Sequence, residues 1–380
     1  VGAVGAVTDY LGEHDGAGTV IPELPGEHDT IWIASTGGTS GPPKLVRVPH
    51  RVLVQMWLYM AIEFEIGRSD TMLIPGPLHH GLGFGFALQQ LYVGGRVVVL
   101  GDFDAGTALA AIAREQVTVV PAAPTILNML LDHPDCAATD LSSVRTIISA
   151  GSPLTSATKL RLLDRLADVQ LYEHYGATEA GFFTVLGPED QLRKERSCGE
   201  AFFGSEIRVA DDGRACAPGE IGLVYKRGLV QGGGYLGNAE ATAQMFRDGW
   251  ATVGDVGYLD DEGYLYLVDR QSDIIVSGGV NVYPAEIEST IASLEGVSAV
   301  AVIGVPDERW GESVKAFVVR RPGAVLEADD VVAACTALLA SYKRPRHVEF
   351  VDELPTSAAG KIVKRELRAA AWSGHQRSVG

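Results

Sequence analysis

Between residues 71 and 172 short apolar runs alternate with longer helix-patterned ones, and this alternation most narrows what the chain can become. Residues 71–74, 96–100, 117–120, 144–149 and 169–172 read as strands, and 51–66, 105–114, 125–131 and 155–166 read as helices. Strands that alternate with helices bury their apolar faces in a layered α/β core. The pattern changes over 198–266, where Asp211-Asp212-Gly213, Asp248-Gly249 and Asp261-Glu262-Gly263 punctuate the chain as turns between short antiparallel strands. A boundary is expected at 269–273, followed by a compact α+β pattern. Pro284 suits a helix start, with Ile287, Ile291 and Leu294 on one helical face. Residues 297–305 and 313–319 read as strands, 328–339 as a helix, 347–351 as a last strand, and 373–380 as an untethered tail. The expected organisation is a large α/β domain with a β-rich part (1–268), a hinge (269–273) and a small mobile α+β domain (274–380).

With 380 residues, 46% of them hydrophobic and 21% charged, the chain can bury a large core in more than one domain. No apolar run approaches about eighteen residues, the length a membrane span needs, and the start lacks a basic signal-peptide region. The formal charge of −17 argues against nucleic acid as a partner, because phosphate backbones are met with basic surface. Cys136, Cys198, Cys216 and Cys335 are far apart with no C-x-x-C pair, as expected of free thiols in a reducing cytoplasm.

The segment Ser35-Thr36-Gly37-Gly38-Thr39-Ser40-Gly41-Pro42-Pro43-Lys44 follows an apolar run, 30–34, that reads as a buried strand. Successive backbone N–H groups, hydroxyls and a closing lysine make a phosphate cradle. It is not a Walker loop, which needs G-x-x-x-x-G-K-[ST], because Pro43 and Leu45 stand in the wrong places. Four further segments carry chemistry-bearing residues. Tyr175-Gly176-Ala177-Thr178-Glu179 offers hydroxyl and carboxylate oxygens suited to phosphate and Mg²⁺. Gly254-Asp255 offers a carboxylate for ribose hydroxyls. Asp269-Arg270-Gln271-Ser272-Asp273 offers a planar donor fork, and 355–361 is a loop presenting Lys361. Taken singly, each could be a strand-end turn, a surface ion pair or a solvated lysine.

Taken together and in this order, with Asn281-Val282-Tyr283-Pro284-Ala285-Glu286 after the arginine, they closely resemble the adenylate-forming superfamily of acyl-CoA and aryl-CoA ligases, peptide-synthetase adenylation domains and firefly-type luciferases. The resemblance spans about 30–367. It implies two half-reactions. A carboxylate attacks the α-phosphorus of ATP to give an acyl-adenylate and pyrophosphate, and a thiol then displaces AMP. Carried over residue by residue, Ser35, Thr36, Gly37, Gly38, Thr39, Ser40, Gly41 and Lys44 handle the β- and γ-phosphates. Thr178 contacts phosphate and Glu179 holds Mg²⁺. Gly151, Ser152 and Pro153 run along the adenine, with Tyr175 and Gly176 near it. Asp255 and Arg270 bind ribose, and Lys361 is the catalytic lysine.

For the second half-reaction the resemblance implies that the small domain swings about the hinge, where Ser272 replaces the usual Asp or Lys. Gly278 and Gly279 would line a thiol tunnel, and Tyr342 and Arg344 would contact the nucleotide of coenzyme A. Trp310 is either part of the same element or core packing. The acceptor is coenzyme A or, alternatively, a carrier-protein thiol or another nucleophile. A non-catalytic nucleotide-binding relative is disfavoured by intact Glu179, Asp255, Arg270 and Lys361. The acid pocket is expected between 78–89 and 174–183, with His80 at its wall or thiol gate. Gly81, Gly83 and Gly85 would give space, and Phe84, Phe86, Phe182 and Phe183 apolar surface. His174 would either bond a ring substituent or fill space. An aromatic or medium apolar acid fits such walls. Only 34 residues precede Ser35, where the family carries a longer first lobe.

Overall fold

The computed structural model describes residues 25–36, 44–78, 81–229, 231–356 and 362–373. Its first sheet runs, in spatial order, 96–99, 71–74, 119–122, 146–150, 170–177, 181–186 and 200–201. The first five strands are parallel and the last two antiparallel. The parallel strands read as near-continuous apolar runs because helices cover both faces. Leu73, Val120, Ala122, Ile147 and Leu171 pack with Leu109, Ile112, Leu127 and Leu162 of the helices Ala105–Glu115, Pro124–Asp132 and Ser156–Arg165 in one core. Met72, Ile74, Val119, Ile148 and Tyr172 pack in a second core with Met60 and Phe64, at and just past the end of helix His50–Glu63, and with Phe86.

The β-rich part forms a second, antiparallel sheet around Ser205–Asp211, Gly222–Gly228, Asp255–Leu259 and Leu265–Arg270. A third sheet pairs Val297–Asp307 with Gly311–Arg320, adds His347–Phe350 in parallel, and is covered by the helices Pro284–Ala292 and Ala328–Leu338. Ile287 and Ile291 are fully buried there, as the helical spacing predicts. Asp269 accepts the Ala285 N–H at 2.9 Å, joining the end of the second sheet to the start of the first helix of the third unit. The 3₁₀ turn Gln271–Asp273 sits between them. Arg368, on helix Lys364–Ala371, donates to the Ser272 carbonyl and the Asp273 carboxylate, both at 2.5 Å.

Several expectations need correction. The strand Thr30–Thr36 is not buried. It forms a two-stranded ribbon with Lys44–Pro49, and Ile31 and Ile33 are 48% and 49% exposed while Ala34 faces inward. An isolated ribbon has only one covered face, so period-2 alternation decides burial rather than mean apolarity. Residues 81–92, not read as a helix from the sequence, form one. The glycines mask its periodicity but permit close packing: a Cβ on Gly83 would lie 2.6 Å from the Pro77 carbonyl oxygen. On that helix Phe84 and Phe86 point apart. Phe84 rests on Trp32 with ring centres 4.7 Å apart, and Phe86 joins the second core. Phe182 and Phe183 diverge likewise because strand neighbours face opposite ways. Phe182 reaches the second core, whereas Phe183 packs into the β-rich part with Val209 and Val224. The strand starts expected at 117 and 144 lie at Val119 and Thr146.

All four cysteines are free thiols. No helix among the described residues is long and apolar enough to cross a membrane.

Candidate active site

The strand Gln170–Ala177 and the turn after it carry Tyr175, Gly176, Thr178 and Glu179 of the expected site. Tyr175 donates its hydroxyl to Asp255 Oδ2 at 2.5 Å, and Arg270 Nε donates to Asp255 Oδ1 at 3.1 Å. Asp255 and Arg270 face each other across adjacent antiparallel strands, so sheet register alone sets the pair. Gly254, at φ +80°, turns the chain into the Asp255 strand. The Asp255 side chain is only 10% exposed and that of Arg270 is 52% exposed, so the guanidinium is the outer face of the pair. A carboxylate has about four acceptor sites, so Asp255 keeps capacity for ribose hydroxyls beside its two protein donors. Burial, reinforced by the neighbouring Asp255 charge, holds the Tyr175 hydroxyl protonated well above its ordinary range. The Tyr175 ring lies against Phe183, with centres 5.0 Å apart.

A second cluster joins the phosphate-loop strands to Glu179. Tyr235 donates to Glu179 Oε1 at 3.1 Å, and Lys44 Nζ stands 4.8 Å from the centre of the same ring. Backbone bonds hold the arrangement: Gly233 N–H to the Arg47 carbonyl at 2.6 Å, Leu236 N–H to Leu45 at 2.7 Å, and Gly232 N–H to Glu179 at 3.2 Å. A Cβ on Gly232 would sit 2.5 Å from the Glu179 carbonyl oxygen, so only glycine lets the strands and turn meet. Burial and then Glu179 push the Tyr235 hydroxyl upward. Tyr235 was not among the expected residues; the three glycines before it were the available signal. Lys226 was missed as well. It is fully buried on the strand Gly222–Gly228, donates to the Ala180 carbonyl at 2.6 Å, and so braces the turn that carries Thr178 and Glu179. Burial lowers its pKa to about 7.

Gly151, Ser152 and Pro153 form an exposed turn, with Gly151 at φ +92°. Leu154 N–H donates to Glu173 Oε2 at 3.1 Å, and Glu173 pairs with buried Lys159 at 2.5 Å, anchoring that turn to the Tyr175 strand. Thr178 and Gly176 are exposed. Ser35 is exposed at the mouth of the first ribbon, where Thr36 pairs with Lys44. Gly37, Gly38, Thr39, Ser40, Gly41, His80 and Lys361 lie outside the described residues.

In the third unit Gly278 and Gly279 take φ +59° and +79°. A Cβ on Gly278 would meet the Trp310 ring at 2.7 Å, while none of the described atoms comes within 4 Å at Gly279. Trp310 backs the glycine turn and has Arg309 and Arg346 over its ring, at 4.8 and 5.3 Å. Tyr342 is exposed, and Arg344 donates to the carbonyls of Leu339 and Thr336 at 3.3 and 3.4 Å.

The residues present fit a nucleotide with a bound magnesium ion. That ion takes one or two carboxylates together with substrate phosphates and keeps several waters. Glu179, half-buried near the strand Lys44–Pro49, is a carboxylate that would serve it. No group of three or more His, Cys, Asp or Glu side chains among the described residues forms a metal cage.

Comparisons with known proteins converge on one family. Family models for the AMP-binding enzyme and for the AMP-binding enzyme C-terminal domain match residues 6–236 and 286–361. The chain is 40% identical over 362 residues to feruloyl-CoA synthase from Amycolatopsis sp, covering 94% of this chain and 73% of that protein. It is 42% identical over 347 residues to a 3-[(3aS,4S,7aS)-7a-methyl-1,5-dioxo-octahydro-1H-inden-4-yl]propanoyl:CoA ligase from Rhodococcus jostii (strain RHA1), covering 90% and 65%. The structure of o-succinylbenzoate coenzyme A synthetase from Bacillus subtilis, in complex with ATP and magnesium ion, superposes with a TM-score of 0.84 at 30% identity, covering 94% and 74%.

Proposed function

The chain belongs to the AMP-binding enzyme family, and we propose that it acts as an AMP-forming acid–thiol ligase through the residues gathered around Tyr175 and Glu179. ATP activates a carboxylic acid to an acyl-adenylate with release of pyrophosphate, and the thiol of coenzyme A then displaces AMP to give the thioester. The observation that carries the assignment of residues is the three-way contact of Tyr175, Asp255 and Arg270. A buried carboxylate and an arginine fork, from the strands Asp255–Leu259 and Leu265–Arg270, meet the phenol of the strand that runs on into Thr178 and Glu179, a combination that suits a ribose.

The chemistry asks for positioning and charge neutralisation. Carboxylate and triphosphate are both anionic and repel as they approach. Lys44 and the 35–44 segment are assigned the β- and γ-phosphates. Lys361 bridges the incoming carboxylate and the α-phosphate, and Thr178 donates to phosphate oxygen. Magnesium held by Glu179 would offset the charge of departing pyrophosphate. Tyr235 orients Glu179 and Lys226 holds the turn beneath it. His80 is assigned, from the sequence, to the pocket wall or the thiol gate. Residues 269–273 serve as a hinge between a large domain, 1–268, and a small one, 274–380. Gly278, Gly279, Tyr342 and Arg344 of the small domain face coenzyme A. The acid is aromatic or medium-sized and apolar, as the cluster of aromatic rings at Phe64, Phe86 and Phe182 suggests.

The test is a screen of carboxylic acids by pyrophosphate release, with and without coenzyme A. Acid-dependent pyrophosphate, followed by coenzyme A-dependent AMP, is expected. If no acid produces AMP with coenzyme A, the ligase reading fails. Acid-dependent exchange that coenzyme A leaves unchanged would move the acceptor to a carrier-protein thiol or another nucleophile.

A further inference from the structure

The second core contains polar atoms that its apolar surroundings do not explain. Gln89 is fully buried on the helix Gly81–Tyr92, yet neither its amide nitrogen nor its oxygen has a hydrogen-bond partner among the described residues. Both ring nitrogens of His174 are likewise buried and unpartnered. His174 stands among Phe182, Phe86 and Phe64, with ring centres 4.5, 6.1 and 6.3 Å away. Trp57 Nε1, on the helix His50–Glu63, is a further unpartnered buried donor. Its ring packs on Tyr92, one turn beyond Gln89, at 5.3 Å. Gln89 lies between Phe86 and Tyr92 on that helix, three residues from each, and so shares the face turned toward the helix His50–Glu63.

Space accompanies these groups. Gly85 is buried, yet none of the described atoms lies within 4 Å of where its Cβ would be. Gly85 is one turn before Gln89 on the same side of the helix, and helical side chains lean toward the preceding turn. Leaving a buried amide or imidazole without a partner costs about 1–3 kcal/mol per group. Apolar residues of similar size would remove that cost, so the retained groups point to a polar guest.

We infer that Gln89 and His174 are specificity residues for a hydroxyl or carbonyl oxygen on the cyclic body of the acid, distal to the carboxylate that is activated. The inference rests on the ligase reading and narrows it: the acid is an oxygenated aromatic or alicyclic acid, not a plain hydrocarbon one. The aromatic walls of Phe64, Phe86 and Phe182 accept the ring. The Gln89 amide and the neutral imidazole can each donate and accept, so either a hydroxyl or a carbonyl is matched. A site built to hydrogen-bond a substrate oxygen discriminates strongly against the analogue lacking it, because its own groups are then left unpaired.

The experiment compares cinnamic acid, 4-hydroxycinnamic acid and octanoic acid on the full chain. It measures pyrophosphate release with ATP and, separately, binding without ATP by calorimetry. The hydroxylated acid is expected to exceed cinnamic acid in kcat/KM and in affinity by at least about tenfold. His174→Phe and Gln89→Leu are expected to bring that ratio toward one while keeping or raising the melting temperature. Equal or better use of cinnamic or octanoic acid by the unmodified chain overturns the inference, whatever the variants do. Variants that lower both cyclic acids equally also overturn it. Discrimination in binding without pyrophosphate release from any acid would sink the ligase reading and leave the pocket assignment standing.

Discussion

Asp255 illustrates how one residue's role follows from its partners. Its carboxylate is reached by a phenol at 2.5 Å and a guanidinium at 3.1 Å. Replacing Asp255 by Asn weakens both charge-assisted bonds and any ribose contact. A loss on the order of 10²-fold in kcat/KM for acid-dependent pyrophosphate release is expected, and a loss below threefold would remove Asp255 from the site. Tyr235→Phe removes only the bond to Glu179. It should raise the magnesium concentration needed for half-maximal rate several-fold, read by titrating magnesium at saturating acid; an unchanged titration would separate Tyr235 from the metal.

Lys226 gives a pH prediction. Burial lowers its pKa from 10.5 in the unfolded chain to about 7 in the fold. Between those values the unfolded state binds more protons, so this lysine makes stability rise with pH from about 7 to 10.5. Lys226→Met abolishes that contribution. In urea unfolding at pH 7 and pH 9.5, the stability of the natural chain relative to the variant should grow with pH. Parallel profiles would show that the ammonium is not penalised as the burial implies.

At the scale of elements, glycines decide which segments can touch. Gly199 has φ +91°, and a Cβ there would lie 1.9 Å from the Val185 carbonyl oxygen, where the last strand of the first sheet begins. Gly199→Ala should destabilise the fold by about 2–4 kcal/mol through strain and displaced backbone, measured by chemical denaturation; a loss under 0.5 kcal/mol would mean the sheet edge relaxes freely. The helix Gly81–Tyr92 was illegible in the sequence for a related reason. Glycine at 81, 83 and 85 lowers helix propensity, and only packing against the helix His50–Glu63 and the first sheet stabilises it. The parallel strands were legible because burial on both faces writes a continuous apolar run.

At the scale of the molecule, the turn 271–273 links the β-rich sheet to the third unit, and Arg368 ties the last described helix to that turn through two bonds of 2.5 Å. Hydrogen bonds to charged groups contribute about 1.5–3 kcal/mol each. Arg368→Ala should therefore release the arrangement of the two units seen here. The two half-reactions, measured separately by single-turnover adenylation and by thioester formation from preformed adenylate, are expected to change by several-fold in opposite directions. Equal slowing of both would assign Arg368 to stability alone.

The order of the motifs, the class of the fold and the family were written in the sequence, because strand and helix periodicities and short phosphate-binding patterns are local and survive without coordinates. The same local character made the 175–179, 255 and 270 residues recognisable. The meeting of Lys44 with Tyr235 and Glu179, the brace from Lys226, the opposite fates of Phe182 and Phe183, and the unpartnered Gln89 and His174 were decided only by the tertiary structure. Each depends on side-chain direction and on pairing between segments tens to hundreds of residues apart, and no local pattern encodes which buried polar atom will be left without a partner.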